Sequence, residues 1–325
     1  MVKKLFGTLK KFLPLIGVAL FFYLIYNLGV QDILNALFSI PPTYIVLASL
    51  LTIPRVLIRN YAWILIQKEQ KIHLSFFRSL KIFLMGYFYG SVTPGYIGQL
   101  MRVPYMKERT GEPYGKLFVN SVIETILHTL SLYGMMIIGA ILVFGSFPEL
   151  FYITGTWVVG LGLILIYFIK RERGEKIFSF LIRNTIPKKF RDKSNKFVNT
   201  FYRDFPQLKR LLLPLFIGIF TWIIIFTQEY IIILALGLNI PYLYFLLLFP
   251  IANTAGFIPI TFAGLGTREA VSILIFTTLF SVADHEVFVF TLVGFLITDI
   301  LTGFVGFLLT LTETRAKINS IKIVD

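Results

Sequence analysis

Apolar runs long enough to cross a bilayer recur along the whole chain, and short segments rich in lysine and arginine separate many of them. A membrane-spanning helix needs about 20 apolar residues. The runs lack the alternation of polar and apolar residues that a membrane-spanning β-strand requires. Because 56% of the residues are hydrophobic, a soluble protein of this length could not bury them. The sequence therefore predicts an all-α integral membrane protein.

Composition also narrows the function. The chain has no cysteine, which excludes disulfides, thiolate nucleophiles and cysteine-bound metals. Its three histidines, His73, His128 and His285, are too far apart for the spacing of helical zinc motifs, so we expect neither a metal nor another cofactor. The net charge of +14 is explained by basic cytoplasmic loops, and nucleic acid is not an expected partner.

Six full spans are predicted, and the basic loops place both termini on the cytoplasmic side. The first runs from Phe12 to Leu28 behind a basic N-terminus. No small-residue cleavage site follows it, so we expect a retained span and not a signal peptide. The other five are Tyr44–Ile66, Leu117–Phe144, Tyr152–Ile169, Leu211–Leu236 and Val287–Leu311.

Two further apolar segments, residues 82–101 and 242–280, are broken by proline and glycine. The first has basic residues on both flanks, and the second is too long for one simple span. We interpret both as re-entrant hairpins. The chain then forms a single transmembrane domain, residues 1–325, with a first half (1–144) and a second half (211–311).

The segment between these halves, residues 170–210, holds 13 basic and four acidic residues, a net charge of +9. A cytoplasmic position on anionic lipid head groups is expected, since each basic residue near such a surface contributes about 1 kcal/mol. A docking or regulatory role is the alternative.

The two breaks share a short pattern of proline, then glycine, then arginine, from Pro94 to Arg102 and from Pro259 to Arg268. One is entered from the cytoplasm and the other from outside, which indicates the inverted repeat typical of alternating-access transporters. Close backbone approach at glycine, a helix N-terminus and an arginine together favour an anion such as phosphate. Alternatively, these residues only kink packed helices.

Several charged or titratable residues fall inside the spans, where such side chains cost at least about 2.5 kcal/mol at the bilayer centre and rarely face lipid. The arginines are predicted to line a path and the acids to pair with them. Ion pairing between helices is the alternative for the arginines, and packing is the alternative for the histidine. This set comprises Arg55, Arg59, Glu124, His128, Glu229 and Asp299.

The two break motifs make the chain resemble the lysylphosphatidylglycerol synthase transmembrane family, also called the flippase-like domain family. The resemblance extends from Tyr44 through the last span. The resemblance implies a lipid flippase fold with re-entrant helices, as in the membrane half of the bacterial multiple peptide resistance factor. Among the best matches to the family motifs are ten residues that we predict to bind the lipid head group: Thr93, Pro94, Gly95, Gly98, Arg102, Pro259, Gly264, Gly266, Arg268 and Glu269.

Glu124 is similar to a glutamate of that family in the span after the first motif. Departures from the family pattern occur at Gln99, where an acid is expected, and at Thr125 and His128, where arginine and aspartate are expected. These departures from the family pattern affect the identity of the expected substrate more than the expected fold. Because the chain carries no soluble aminoacyl-transferring domain, it is not expected to synthesise lysyl-phosphatidylglycerol by itself.

The leading hypothesis is a flippase for an anionic, aminoacylated or polyprenyl-phosphate-linked lipid in the cytoplasmic membrane of a prokaryote. An integral-membrane enzyme of lipid metabolism is the second hypothesis, although no catalytic motif is found. An accessory subunit of envelope glycan metabolism, docking through residues 170–210, is the third. The expected partners are a phospholipid or polyprenyl-phosphate lipid and the membrane, with association into a homo-oligomer left open.

Overall fold

The computed structural model describes residues 17–322, apart from residues 170, 186–187, 259–260 and 262. The described part of the chain is 84% helical and holds no strand, which confirms the all-α class. Among these residues, five helices are long and apolar enough to cross a membrane, or six if one bent pair counts as a span. The predicted residues 12–16 of the first span, and Pro259, lie outside the described residues.

The N-terminal region contains one helix that the hydropathy pattern does not predict. Helix α1 (Gly17–Leu28) is followed by α2 (Val30–Ser39), and the two meet at an angle of 88°. Gly29 lies between them with a φ of 85°, a conformation that glycine adopts without steric cost. Helix α2 packs against α14 (Asp284–Phe295), so the chain does not enter the next span directly.

The first broken segment folds back on itself. Helices α3 (Pro42–Leu50) and α4 (Thr52–Glu69) form the continuous span Pro42–Glu69, in agreement with the prediction. Helix α5 (Phe76–Ser91) then ends, and a 3₁₀ turn (Ile97–Met101) lies against it before α6 (Arg102–Thr110) begins. The predicted segment 82–101 is thus interrupted where proline and glycine occur.

The middle of the chain contains two long spans and two amphipathic helices. Helices α7 (Tyr114–Leu142) and α8 (Pro148–Ile169) match the third and fourth predicted spans. The basic segment contains α9 (Arg171–Thr185) and α10 (Lys188–Arg203), which pack against each other, and α10 also packs against α7. The basic segment is therefore helical in its described part.

The second half has the same order of elements as the first, a span followed by a broken segment. Helix α11 (Leu212–Ala235) is the span, and α12 (Tyr242–Ala255) and α13 (Thr267–Phe280) are packed arms separated by the second break. The final span consists of α14, a π turn (Leu296–Ile300) and α15 (Leu301–Lys322). Its apolar part, Asp284–Glu313, agrees with the prediction.

A cluster of phenylalanine rings holds the second broken hairpin against the final span. Phe245 and Phe249 of α12 contact Phe276 of α13 and Phe290 of α14, with ring centroids 4.9–6.4 Å apart. All four side chains are fully buried. Aromatic pairs at these separations add about 0.5–1.5 kcal/mol each beyond burial, so this hairpin has a rigid base.

Close contact between α7 and α12 depends on Gly139. A methyl group at this position would overlap the main-chain carbonyl of Leu247 in α12, whereas one at Gly134 in the same helix would meet nothing within 4 Å. We therefore expect Gly139→Ala to destabilise the protein by about 1–3 kcal/mol, the usual cost of overpacking. Thermal unfolding in detergent would show a lower Tm for Gly139→Ala than for Gly134→Ala, and equal Tm values would contradict the prediction.

Candidate functional site

The first break is a tight turn built around Thr93. Its hydroxyl accepts a hydrogen bond from the Gly98 amide at 2.8 Å and donates to the Tyr89 carbonyl oxygen at 2.9 Å. A methyl group on Gly98 would overlap that carbonyl. Gly95 and Tyr96 follow with φ values of 59° and 56°, so the backbone turns through two successive left-handed residues. The predicted motif residues therefore shape the turn.

The second break depends on two glycines and an internal cap. Gly264 and Gly266 have φ values of 85° and 87°, and Gly264 lies against the backbone of Gly256. At the start of α13, the Glu269 carboxylate accepts a hydrogen bond from the Gly266 amide at 2.6 Å. Glu269 is the third residue of this helix, and its carboxylate reaches back to the N-cap residue Gly266, as in a capping box. The chain itself therefore supplies part of the negative charge that the sequence predicts at this helix N-terminus.

Arg268 lies beside this cap and is buried. Its guanidinium donates to Glu269 at 2.7 Å and sits 4.7 Å from the centroid of the Phe295 ring. In this structure, the Arg268 side chain is therefore occupied by an ion pair and an aromatic ring.

Two arginines share one glutamate in the first half. The Glu124 carboxylate accepts hydrogen bonds from Arg59 Nε at 3.0 Å and from Arg102 Nη1 at 2.8 Å. The Arg102 guanidinium also lies over the rings of Trp63 and Phe83, at 5.0 and 5.7 Å. The exposed fraction of the side chain is 11% for Arg59, 1% for Arg102 and 4% for Glu124. This buried cluster therefore carries one positive charge more than its carboxylate balances.

A polar cavity of about 280 Å³ lies between the two breaks. It is bordered by residues of the first break, of α4, α7, α8 and α11, of the second hairpin and of the π turn. Such a cavity inside an otherwise apolar bundle is the usual form of a ligand site. Its charged and polar lining includes Arg55, Arg59, Tyr87, Tyr96, Gln99, Thr125, His128, Trp157, Trp222, Glu229, Asn253 and Asp299.

Asp299 joins the two breaks at one wall of the cavity. Its carboxylate accepts hydrogen bonds from Tyr87 at 2.8 Å, Tyr96 at 3.1 Å and Thr298 at 3.0 Å. The Tyr96 hydroxyl also lies 3.3 Å from the carbonyl oxygen of Ala263 in the second break. The π turn that carries Asp299 is a helix defect often found at functional sites. The predicted meeting of the two broken segments is therefore present in the structure.

Arg55 and Glu229 differ from the other charged residues of the cavity. Arg55 donates to the Thr298 carbonyl oxygen at 2.8 Å and to the Thr302 hydroxyl at 2.5 Å. Neither Arg55 nor Glu229 forms an ion pair with another residue that the structure describes, and Glu229 Oε2 has no hydrogen-bond partner there. Arg55 and Glu229 thus border the same cavity, each without a direct ion pair to another described residue.

His128 is largely a packing residue. Its imidazole stacks on the Trp222 indole with centroids 4.4 Å apart, and Trp222 Nε1 donates to the His128 carbonyl oxygen at 2.7 Å. Its Nε2 atom is buried without a partner among the described residues. The packing alternative therefore accounts for the ring position, and one nitrogen is left for a ligand or water.

The structure brings six of the predicted site residues to the cavity wall: Gly95, Arg55, Arg59, His128, Glu229 and Asp299. Arg102, Glu124, Arg268 and Glu269 lie behind it in buried ion pairs. Sequence reasoning missed Tyr87 and Tyr96, because nothing in the sequence links either of them to an acid more than 200 positions away. Their positions well inside an apolar segment, away from its ends, were the available signal.

The known proteins that this chain resembles are membrane proteins as well. A sequence model described as the lysylphosphatidylglycerol synthase TM region matches residues 12–306. A UPF0104 membrane protein of Methanocaldococcus jannaschii is 24% identical over 304 residues, which cover 89% of this chain and 90% of that protein. Both matches extend over the two breaks and the cavity between them.

Proposed function

The chain belongs to the lysylphosphatidylglycerol synthase transmembrane region family, and from this premise we propose that it moves a phosphate-bearing lipid across the cytoplasmic membrane of a prokaryote. One observation carries the proposal. Arg55 is buried at the wall of a polar cavity and has no acidic partner among the described residues. An unpaired buried cation is costly, so a ligand anion is its natural partner.

Phosphate is the anion that best fits this position. A guanidinium binds phosphate through two parallel hydrogen bonds, and Arg59 borders the same cavity. Because the cavity lies within an apolar helical bundle, a ligand with its own apolar part can reach it from the membrane. Broken helices that meet at a site between spans are also the usual construction of transporters.

The remaining wall residues favour a head group that also carries an amine. Glu229 borders the cavity and forms no ion pair with a described residue. A head group with both phosphate and ammonium would place its phosphate beside Arg55 and donate a hydrogen bond to the unpartnered Oε2 of Glu229. Among the anionic, aminoacylated and polyprenyl-phosphate-linked lipids, we therefore expect an aminoacylated or zwitterionic lipid to be moved fastest.

The departures from the family pattern support a distinct substrate. Gln99, Thr125 and His128 all border the cavity. Gln99 Oε1 and Thr125 Oγ1 lie 3.3 and 3.4 Å from Arg102 Nη2, which connects these positions to the ion pair behind the wall. Changes at Gln99 and Thr125 would alter the cavity wall beside the ion pair, and a change at His128 would also alter its packing on Trp222.

The orientation of the chain is part of the proposal. We place the basic segment, with its helices α9 and α10, on the cytoplasmic side together with both termini, because basic residues concentrate there. The two halves are proposed to form an inverted repeat around the cavity, with Tyr96 and Ala263 at the contact between them. Alternating access would then move one half against the other.

Movement of fluorescent lipids in proteoliposomes tests the proposal. Anionic, zwitterionic, aminoacylated and polyprenyl-phosphate lipids are compared with a phosphate-free glycolipid, in vesicles with and without the native chain. We expect selective movement of phosphate-bearing lipids, and mass spectrometry of the recovered lipid should find it unchanged. A folded protein that moves none of them would contradict the proposal, and a chemically altered lipid would favour the enzyme alternative.

A further inference from the structure

Helix α8 is the least enclosed of the full-length spans. Only 11% of its most apolar stretch is buried, compared with 33–50% in the other four spans. It packs against α7 and α9, while a groove separates it from the second broken hairpin. One side of this span is therefore open toward the lipid phase.

The groove between α8 and the α12–α13 hairpin has a volume of about 790 Å³. Its walls are almost entirely apolar, so they offer no counter-charge or hydrogen-bonding array to a polar ligand. Hydrocarbon is the chemistry that such a surface accepts. The lining includes Met136, Ile153, Ile164, Ile251, Ile258 and Leu274.

The groove adjoins the polar cavity. Trp157 and Leu161 of α8 border both spaces. Trp157 Nε1 lies 3.2 Å from the hydroxyl of Tyr133, a residue of the cavity wall. The polar cavity and the adjoining apolar groove match the two parts of an amphiphilic lipid. The head group fits the cavity and the hydrocarbon chain fits the groove.

We propose that the groove between α8 and the α12–α13 hairpin binds a hydrocarbon chain of the same lipid whose phosphate-bearing head occupies the polar cavity, with Trp157 and Leu161 at the junction. The identity of the ligand rests on the proposed function. The inference adds the place where its chain lies and the side from which it enters, laterally between α7–α8 and the second hairpin.

Two glycines of α8 provide a matched pair of variants. Gly160 borders the groove, and Gly162 does not. A Cβ atom added at either position meets nothing within 4 Å, so we expect both variants to fold. Gly160→Phe places a ring in the groove, while Gly162→Phe adds the same ring to another side of the helix.

The test is photolabelling in vesicles. A phospholipid with a diazirine in one acyl chain is compared with the uncharged diacylglycerol that carries the same chain, and the labelled peptides are mapped. We expect the phospholipid to label residues 153–164 of the native chain and of Gly162→Phe more strongly than the diacylglycerol does. In Gly160→Phe this excess should fall at least tenfold, which corresponds to about 1.4 kcal/mol of binding free energy.

Equal labelling by the two lipids would mean that the groove holds only bulk lipid, and an unchanged excess in Gly160→Phe would place the chain elsewhere; either result overturns the inference. Because the chain has no native cysteine, Gly160→Cys gives a clean test for a second copy. Disulfide-linked dimers of this variant would assign the groove to protein association instead. Lipid movement is scored in the same vesicles, so labelling without movement would refute only the proposed function.

Discussion

Replacing Glu124 with glutamine is expected to destabilise the protein by about 3–5 kcal/mol, the cost of removing one partner from a buried ion pair. The carboxylate is the only acid within ion-pair distance of Arg59 and Arg102 among the described residues. Without it, two guanidinium groups remain buried against Trp63 and Phe83 with no negative charge. We expect a strongly lowered Tm in detergent, or failure to accumulate in the membrane.

Glu149→Gln is the matched control, because it makes the same substitution at an exposed residue of α8. Surface changes of this kind usually stay within about 0.5 kcal/mol. The double variant Glu124→Gln with Arg102→Gln should recover part of the loss, since it removes one of the two unbalanced charges. A Tm for Glu124→Gln that equals that of the native chain would contradict the role given to this cluster.

Arg55→Gln is expected to slow lipid movement at least 30-fold while the protein stays folded. The guanidinium lies at the cavity wall without an acidic partner among the described residues. Losing one member of a buried, hydrogen-bonded charge pair costs about 2 kcal/mol or more, which corresponds to this factor. The proteoliposome assay measures the rate, and size-exclusion chromatography checks the fold.

Two further variants separate charge from geometry. Arg78→Gln removes the same charge from an exposed position of α5 and should leave the rate unchanged. Arg55→Lys keeps the charge but loses the planar pair of donors, so an intermediate rate is expected. Native lipid movement by folded Arg55→Gln would show that this arginine does not bind the transported head group.

The positions of the full spans follow from the sequence because hydrophobic length is a local property. The described spans coincide with the predicted ones within a few residues. The breaks are also local, since Thr93, Gly98, Gly264 and Gly266 shape turns that few other residues allow. Helix α2 was not predicted, because a short amphipathic helix gives no long apolar run.

The pairing of charges depends on tertiary packing and was predicted only in outline. The expectation that acids pair with arginines holds for Glu124, with Arg59 and Arg102. The pair of Glu269 with Arg268 was not predicted, since both were expected to bind a head group. The expected pairing does not hold for Arg55, whose hydrogen bonds go to the π turn.

Asp299 also departs from the expected pairing with an arginine, because its carboxylate accepts hydrogen bonds from neutral hydroxyl groups. Tyr87, Tyr96 and Thr298 donate to its carboxylate. Nothing in their local sequence marks the two tyrosines as partners of an acid, since residues more than 200 positions apart meet only in the folded bundle. The cavity could therefore be anticipated as polar, while its hydrogen-bonding pattern could not.

The π turn also sets the helical register of everything that follows it in the final span. Each residue of an α-helix advances the side chains by about 100° around the axis, so the extra residue in the turn fixes the direction of Glu313 as well as that of Asp299. Glu313 forms ion pairs with Lys81 and Arg109, far along the same helix from the cavity. A change of register at the cavity would rotate Glu313 away from both cations, so the cavity and the end of the final span are mechanically linked.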